Sequence, residues 1–220
     1  MRPNHPLVAL SLLACVLVCP AMSSPGQETV PKARLPVLTT SAGQSADINT
    51  VNAIMEQAGV KYDYCDVPNV AMVKAGVGLS GAKAKTGFHI EVNTDLARFK
   101  TGTAYQAVIF AIGASLKGMG ASGLTVESEV KRVTEIIQYC KQNKLVLIAV
   151  HPGGQSKRGA PGSDNARMID AVAPFADYII VAKDGNKDGR FTKIAKDKGI
   201  PLSQVDYALG MVALLKQVFE

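Results

Sequence analysis

The sequence predicts a three-layer α/β fold, Rossmann-like or flavodoxin-like, with a mainly parallel sheet of about five strands. Three observations carry this. First, the runs Leu35 to Thr40, Ala107 to Ile112, Leu145 to Val150 and Tyr178 to Ala182 are apolar or nearly so throughout, without the alternation of a half-exposed strand. Second, each run leads through a loop rich in glycine, hydroxyls or charge into a helix or a helical start. Strands that are apolar on both faces and separated by helices belong to a parallel sheet covered on both sides. Third, 220 residues at 47% hydrophobic and 19% charged are enough to bury a sizeable core and argue against disorder, so one domain is the default.

The first residues are set aside as a targeting segment. Met1 to Pro6 carries Arg2 and no acid, Leu7 to Val18 is predominantly apolar, and Ala21-Met22-Ser23 presents small residues where a signal peptidase reads them. The expected organisation is a signal peptide over 1–23, a polar leader over 24–34, and a single Rossmann-like domain over 35–220 with an insertion around 66–105. An apolar stretch of twelve residues is well short of the roughly 20 that span a bilayer. The expectation is therefore an exported protein, periplasmic or secreted, with no transmembrane segment after signal removal. Leu12-Leu13-Ala14-Cys15 also has the residue order of a lipoprotein signal, with Cys15 acylated. Val16 to Val18 prolongs the apolar run past Cys15, where an acylated cysteine opens a polar tether, so the lipid anchor is the less favoured route. Cys15 and Cys19 leave with the signal. Of the remaining pair, Cys140 lies on the apolar stripe of a predicted helix, which favours a free buried thiol over a disulfide with Cys65.

Element by element, Leu35 to Thr40 reads as a buried strand followed by the turn Ser41 to Ser45. The helix after it carries Ile48, Val51, Ile54, Met55 and Ala58 on one face and stops at Gly59. Ala107 to Ile112 leads through Gly113 to Gly123 into a helix with the stripe Val126, Val130, Val133, Ile136, Ile137 and Cys140, capped by Thr125. Leu145 to Val150 leads through His151 to Gly162 into a helix from about Asp164 to Val172. Tyr178 to Ala182 leads through Lys183 to Gly189 into a short helix starting near Phe191, and a last helix covers Tyr207 to Phe219. Between Cys65 and Tyr105 the pattern is weak: Lys74 to Gly87 has no stable period, Phe88 to Val92 is compatible with a strand, and Asp95 to Phe99 with a helical turn. That stretch reads as an excursion or hairpin covering one sheet edge.

In open parallel sheets, ligands bind beyond the carboxyl ends of the strands, near the point where the connections diverge. The loops Thr39 to Ser45, Gly113 to Gly123, His151 to Gly162 and Lys183 to Gly189 all fall there. Helix-start N–H groups, the hydroxyls of Thr39, Thr40, Ser41 and Ser45, and the donors of Lys117, His151, Lys157, Arg158 and Lys183 favour a small polar or anionic ligand. Thr40, Ser41, Gln44 and Ser45 are expected to hold it from the first turn, with Ser115, Lys117, His151 and Arg158 opposite. Against this, any α/β domain needs glycine in such turns, and basic residues scattered through a chain of net charge +6 form a solvated rim. A second reading is a hydrolase in which Ser41 or Ser115 pairs with His151 and an acid such as Asp177. A third is a partner-binding scaffold without catalysis.

No cofactor is identified. Gly118 to Gly123 satisfies Gly-x-Gly-x-x-Gly, but it lies several residues beyond the strand end and no acid closes Leu145 to Val150. Gly76 and Gly81 have phosphate-loop spacing, but Ala82 precedes Lys83. In Gly113-Ala114-Ser115-Leu116-Lys117 the hydrolase elbow lacks its second glycine. Asp184 to Gly189 matches the first half of a calcium loop, yet its twelfth position is Ala195, so no metal is expected. Export, six Phe, six Tyr and no Trp disfavour nucleic acid.

Taken together, TTSAGQS at 39–45, GASLKGMGASG at 113–123, HPGGQSKRG at 151–159 and KDGNKDGRFT at 183–192 resemble a family of bacterial exported proteins known as a domain of unknown function. The resemblance covers most of Leu35 to Glu220 and departs from the family in the longer, more basic insertion before Tyr105. It implies export and the α/β fold, and it carries over no catalytic residue.

Overall fold

The computed structural model describes residues 30–220; the expected signal segment with Cys15, Cys19 and the cleavage position after Ser23 lies outside them. Seven strands form one sheet: β1 (Val37–Ala42), β2 (Asp63–Cys65), β3 (Ile90–Val92), β4 (Ala107–Ile112), β5 (Val146–His151), β6 (Tyr178–Ala182) and β7 (Leu202–Val205). Their order is β3-β2-β1-β4-β5-β6-β7, and every neighbouring pair is parallel except β2 with β3. The fold class is the expected one, but the sheet is larger than about five strands. The two additions are short or polar: β2 is three residues long, and β7 carries Ser203 and Gln204 at an edge. Neither presents the apolar run that marks a buried strand.

The helices are α1 (Asp47–Gln57), α2 (Val70–Ala75), α3 (Leu116–Ala121), α4 (Val126–Gln142), α5 (Asp164–Val172), α6 (Arg190–Lys198) and α7 (Met211–Phe219). Alternate strand residues point to opposite faces, so β1, β4, β5 and β6 each feed two cores. Val37, Ile109, Ile148 and Ile180 pack with Ile54 and Met55 of α1 and Leu215 of α7. Leu38, Phe110, Leu147 and Ile179 pack with Ile136 of α4, Ile169 of α5 and Phe191 of α6. Each such side chain, fully removed from water, stabilises the fold by about 1.5–3 kcal/mol. Cys65 and Cys140 are free and buried, and burial pushes both thiols up to about 12.

The excursion between β2 and β4 is organised around one carboxylate. Asp63, fully buried on β2, accepts the Gly78 N–H at 2.8 Å, the Thr94 N–H at 3.2 Å and the Tyr105 hydroxyl at 2.6 Å. Three separate points of a segment with no periodicity are thereby fastened to a sheet strand, which leaves its hairpin and β3 to cover the β2 edge.

A second buried charge holds the other side of β1. Thr125 caps α4 in a reciprocal pair with Ser128, and the expected apolar stripe of α4 faces the core. The same helix also buries Glu129 and Arg132, whose guanidinium donates to both Glu129 oxygens at 2.8 and 2.7 Å, to the Ser41 carbonyl at 2.7 Å and to the Pro68 carbonyl at 3.2 Å. Glu129 Oε1 in turn accepts the Gly43 N–H at 2.8 Å and the Gln44 amide at 3.2 Å. Removing one partner of such a pair leaves an uncompensated buried charge, at a cost of about 3–5 kcal/mol. Arg132→Met is expected to lower the stability read from the urea midpoint by that amount, with part of the loss recovered in the double variant Glu129→Gln/Arg132→Met. A loss below about 1 kcal/mol in the single variant contradicts a structural role for the pair.

Candidate functional site

The turn after β1 determines what the carboxyl edge can offer. Gly43 has φ +100°, and a Cβ there would lie 2.4 Å from the Gly113 carbonyl oxygen, so only glycine lets this turn touch the turn after β4. Gln44, also at positive φ, forms an isolated bridge with Ala114, while the Ser115 N–H donates to the Gly43 carbonyl at 2.7 Å. Connections diverge between β1 and β4, where open α/β sheets bind ligands. Here backbone contacts close that crevice.

The expected ligand residues on this edge are mostly committed to the fold. Thr40 is buried and its hydroxyl faces the Asp66 carbonyl at 3.4 Å; Gln44 donates to the same carbonyl at 2.8 Å. The Ser45 hydroxyl donates to Asp47 Oδ2 at 2.8 Å and accepts the Asp47 N–H at 3.1 Å. The next two N–H groups of α1 go to Ser45 and Ala46 carbonyls, and Asp47 adds negative charge to that turn. An anion finds no good partner there. Ser41 is buried, with a hydroxyl that has no hydrogen-bond partner, and Ser115 caps α3 by accepting the Gly118 N–H at 3.0 Å. Lys117 is exposed on α3.

His151 and Arg158 lie inside the edge. His151 is fully buried at the end of β5, with Nδ1 3.0 Å from the Ile112 carbonyl, which fixes Nδ1 as the protonated nitrogen. Nε2 has no partner and lies beneath Gly185, where an added Cβ would come within 3.2 Å of it. The ring packs against Phe191 at 5.3 Å. Arg158 donates to both Asp188 oxygens at 2.9 Å and to the Gly185 carbonyl, and its guanidinium sits 4.9 Å over the Phe191 ring. Asp184 accepts the Gln155 N–H at 2.9 Å, so the loops after β5 and β6 are laced together above His151.

The serine, His151 and Asp177 arrangement is not assembled. Asp177 bonds Lys141 at 2.6 Å and the Leu147 N–H at 2.8 Å, at the amino end of β5 and β6, while His151 is at the carboxyl end. The oxygens of the calcium-like sequence also face separate partners: Asp184 the Gln155 N–H, Asn186 the Phe191 N–H, and Asp188 the guanidinium of Arg158.

An open groove of about 340 Å³ lies one strand away, at the carboxyl ends of β1 and β2. Tyr64 pairs with Glu91 and Cys65 with Ile90, and the Asp66 N–H continues the ladder to the His89 carbonyl at 3.2 Å. Alternation along this ribbon turns Cys65 and Ile90 to the core and places Tyr64, Asp66, His89 and Glu91 in the groove wall. The start of α1 and the end of α3 form the rest, with Gly87 so close to α3 that a Cβ would lie 2.2 Å from the Ala121 carbonyl oxygen. The Asp66 carboxylate, 9% exposed, accepts the His89 N–H at 2.9 Å and lies 3.3 Å from His89 Nδ1. The His89 side chain is 69% exposed. Because a carboxylate oxygen accepts, this contact puts a hydrogen on Nδ1 and leaves Nε2 as the ring nitrogen available to another partner. Burial, followed by the charges of Asp66, Cys65 and Glu91, raises the Tyr64 hydroxyl well above its ordinary range, so it stays a neutral donor.

His89 and Glu91 escaped the sequence reading because they sit in the weakly patterned stretch between Cys65 and Tyr105, which was read only as covering a sheet edge. The available signal was local: Tyr64-x-Asp66 and His89-x-Glu91 each put two polar groups on one face of a strand.

The family model matching residues 34–219 is described as a domain of unknown function, DUF6305. The chain belongs to this family. A search of the curated proteins finds no match. Among solved structures the DUF6305 chain is similar to the crystal structure of the YdjI aldolase from Escherichia coli K12, at 14% identity over 83% of this chain and 72% of that one. The TM-score of 0.25 is too low for that likeness to carry any argument.

His151 makes stability pH-dependent. Burial holds its pKa below the ordinary value of 6.5, against the opposing effects of the Ile112 carbonyl and Asp47. Below about pH 6.5 the unfolded chain takes up a proton that the folded DUF6305 domain refuses, so this contribution is complete above that pH and is lost as pH falls. One such group gives a slope of up to about 1.4 kcal/mol per pH unit. Urea midpoints between pH 6.5 and 5 are expected to fall less steeply in His151→Gln than in the parent; equal slopes contradict a buried neutral His151.

Proposed function

We propose that this protein binds a small polar ligand, neutral or cationic, in the groove at the carboxyl ends of β1 and β2. The observation that carries this reading is the β2–β3 ribbon face, which puts Tyr64, Asp66, His89 and Glu91 into one open concavity beside the β1 turn. The two carboxylates supply acceptors and negative charge, the Tyr64 hydroxyl a donor, and Asn49 on α1 an amide with both. A carboxylate, phosphate or sulfate meets repulsion from Asp66 and Glu91 and finds the α1 N–H groups already taken. The ligand class therefore shifts from the anion favoured by the loop lysines to a hydroxylated or amine-bearing molecule. Export through the segment 1–23 belongs to the same reading, supported by Arg2, the apolar stretch Leu7 to Val18 and the small residues at 21–23.

A thermal-shift series with small sugars, polyols, amines, carboxylates and phosphates tests it, run on the parent, His89→Ala and Glu91→Gln. A ligand at a hundredfold excess over its Kd stabilises the folded state by about 2.7 kcal/mol, which for a domain of this size raises Tm by about 5–10 °C. The expected result is a rise with a neutral or amine-bearing compound that is reduced in both variants and absent with phosphate. No rise with any compound, or one that both variants retain in full, overturns the reading.

A further inference from the structure

We infer that the groove is also a hydrolytic site, in which His89 acts as a general base on water attacking a small uncharged ester. This rests on the groove being the ligand site. The base and its orienting group are already in place. Asp66 is buried and held by the His89 N–H at 2.9 Å, so its second oxygen, 3.3 Å from Nδ1, has a fixed position from which to hold the imidazole in one tautomer. The side chain it orients is mostly exposed within a concave surface, with Nε2 free to take a proton. A base, a third group that orients it, and room for a reacting molecule are the parts that general-base chemistry requires. His151 has the opposite arrangement, with its one free nitrogen sealed beneath Gly185.

The local charges select the substrate. Asp66 and Glu91 line the wall together, so a phosphate ester, anionic before and after reaction, is disfavoured at both stages. An uncharged carboxylic ester enters without that penalty. Water forms the new bond to the acyl carbon and gives its proton to His89 Nε2. The carbon to alkoxy-oxygen bond then breaks, and the departing oxygen takes that proton back. Ester and water become acid and alcohol, with His89 returned to its starting form. The acid ionises on release, and the two carboxylates of the wall repel it out of the groove.

The test is hydrolysis of 4-nitrophenyl acetate by the full chain, compared with His89→Gln and Asp66→Asn. The expected result is saturable turnover in which His89→Gln lowers kcat about 100-fold or more, the range typical of a general base, with Tm unchanged because His89 is exposed. Asp66→Asn lowers kcat with little change in KM, the split expected of a positioning residue; His89→Gln decides the matter alone if Asp66→Asn does not fold. Release of nitrophenolate that rises linearly with substrate and is equal in His89→Gln overturns the hydrolytic inference. If the ligand-induced Tm rise persists alongside that outcome, binding stands and hydrolysis falls; if the rise is absent as well, both fall.

Discussion

The buried pair Glu129–Arg132 is the interaction on which the carboxyl edge depends. Two charges taken out of water are costly unless every donor and acceptor is matched. Here the matching groups are the backbone of Ser41 and Gly43 at the end of β1 and of Pro68 beyond β2. An apolar pair of the same volume could fill the space in α4 but could not bond those groups. The ion pair therefore ties α4 to the turn after β1 and to the start of the excursion, and it sets how close that turn comes to the turn after β4.

With that turn fixed, Gly43 meets the Gly113 carbonyl and Gln44 bridges Ala114, so backbone contacts join the turns after β1 and β4. The loops after β5 and β6 close the rest through Arg158 and Asp188. Many of the polar groups in these four loops are thus committed to one another, as in Ser45 with Asp47 and Arg158 with Asp188. The open concavity moves to the β1–β2 side, where the excursion supplies the outer wall. The Asp63 carboxylate that organises the excursion is consequently upstream of the groove, because it holds β3 against β2 and so sets the spacing of Asp66 and His89.

The legible parts of the sequence were those in which one physical signal dominates. Ala107 to Ile112 and Tyr178 to Ala182 match their strands to the residue, and Thr125 caps α4 as its position implies, because unbroken apolar runs and a capping hydroxyl need no tertiary context. The strand β2 was illegible because Asp63 sits in it, a charged residue whose burial makes sense only once Gly78, Thr94 and Tyr105 converge on it. Glu129 and Arg132 fall outside the apolar stripe by which α4 was read, and spacing alone does not tell a buried ion pair from an exposed one. His151 drew attention for its place after a strand, yet the same place seals it within the core. His89 lacked any such place, and its partner Asp66 is 23 residues away.

Charge shows the same difference between global and local information. A chain of net charge +6 appears suited to anions, but screening in physiological salt confines each exposed charge to about 8 Å. What a ligand feels in the groove is therefore set by Asp66 and Glu91, not by lysines elsewhere on the surface. Asp66 serves the fold by taking the His89 N–H and serves the groove by holding the imidazole. Because both jobs fall to one buried carboxylate, the place of His89 in the groove is tied to the pairing of a sheet edge.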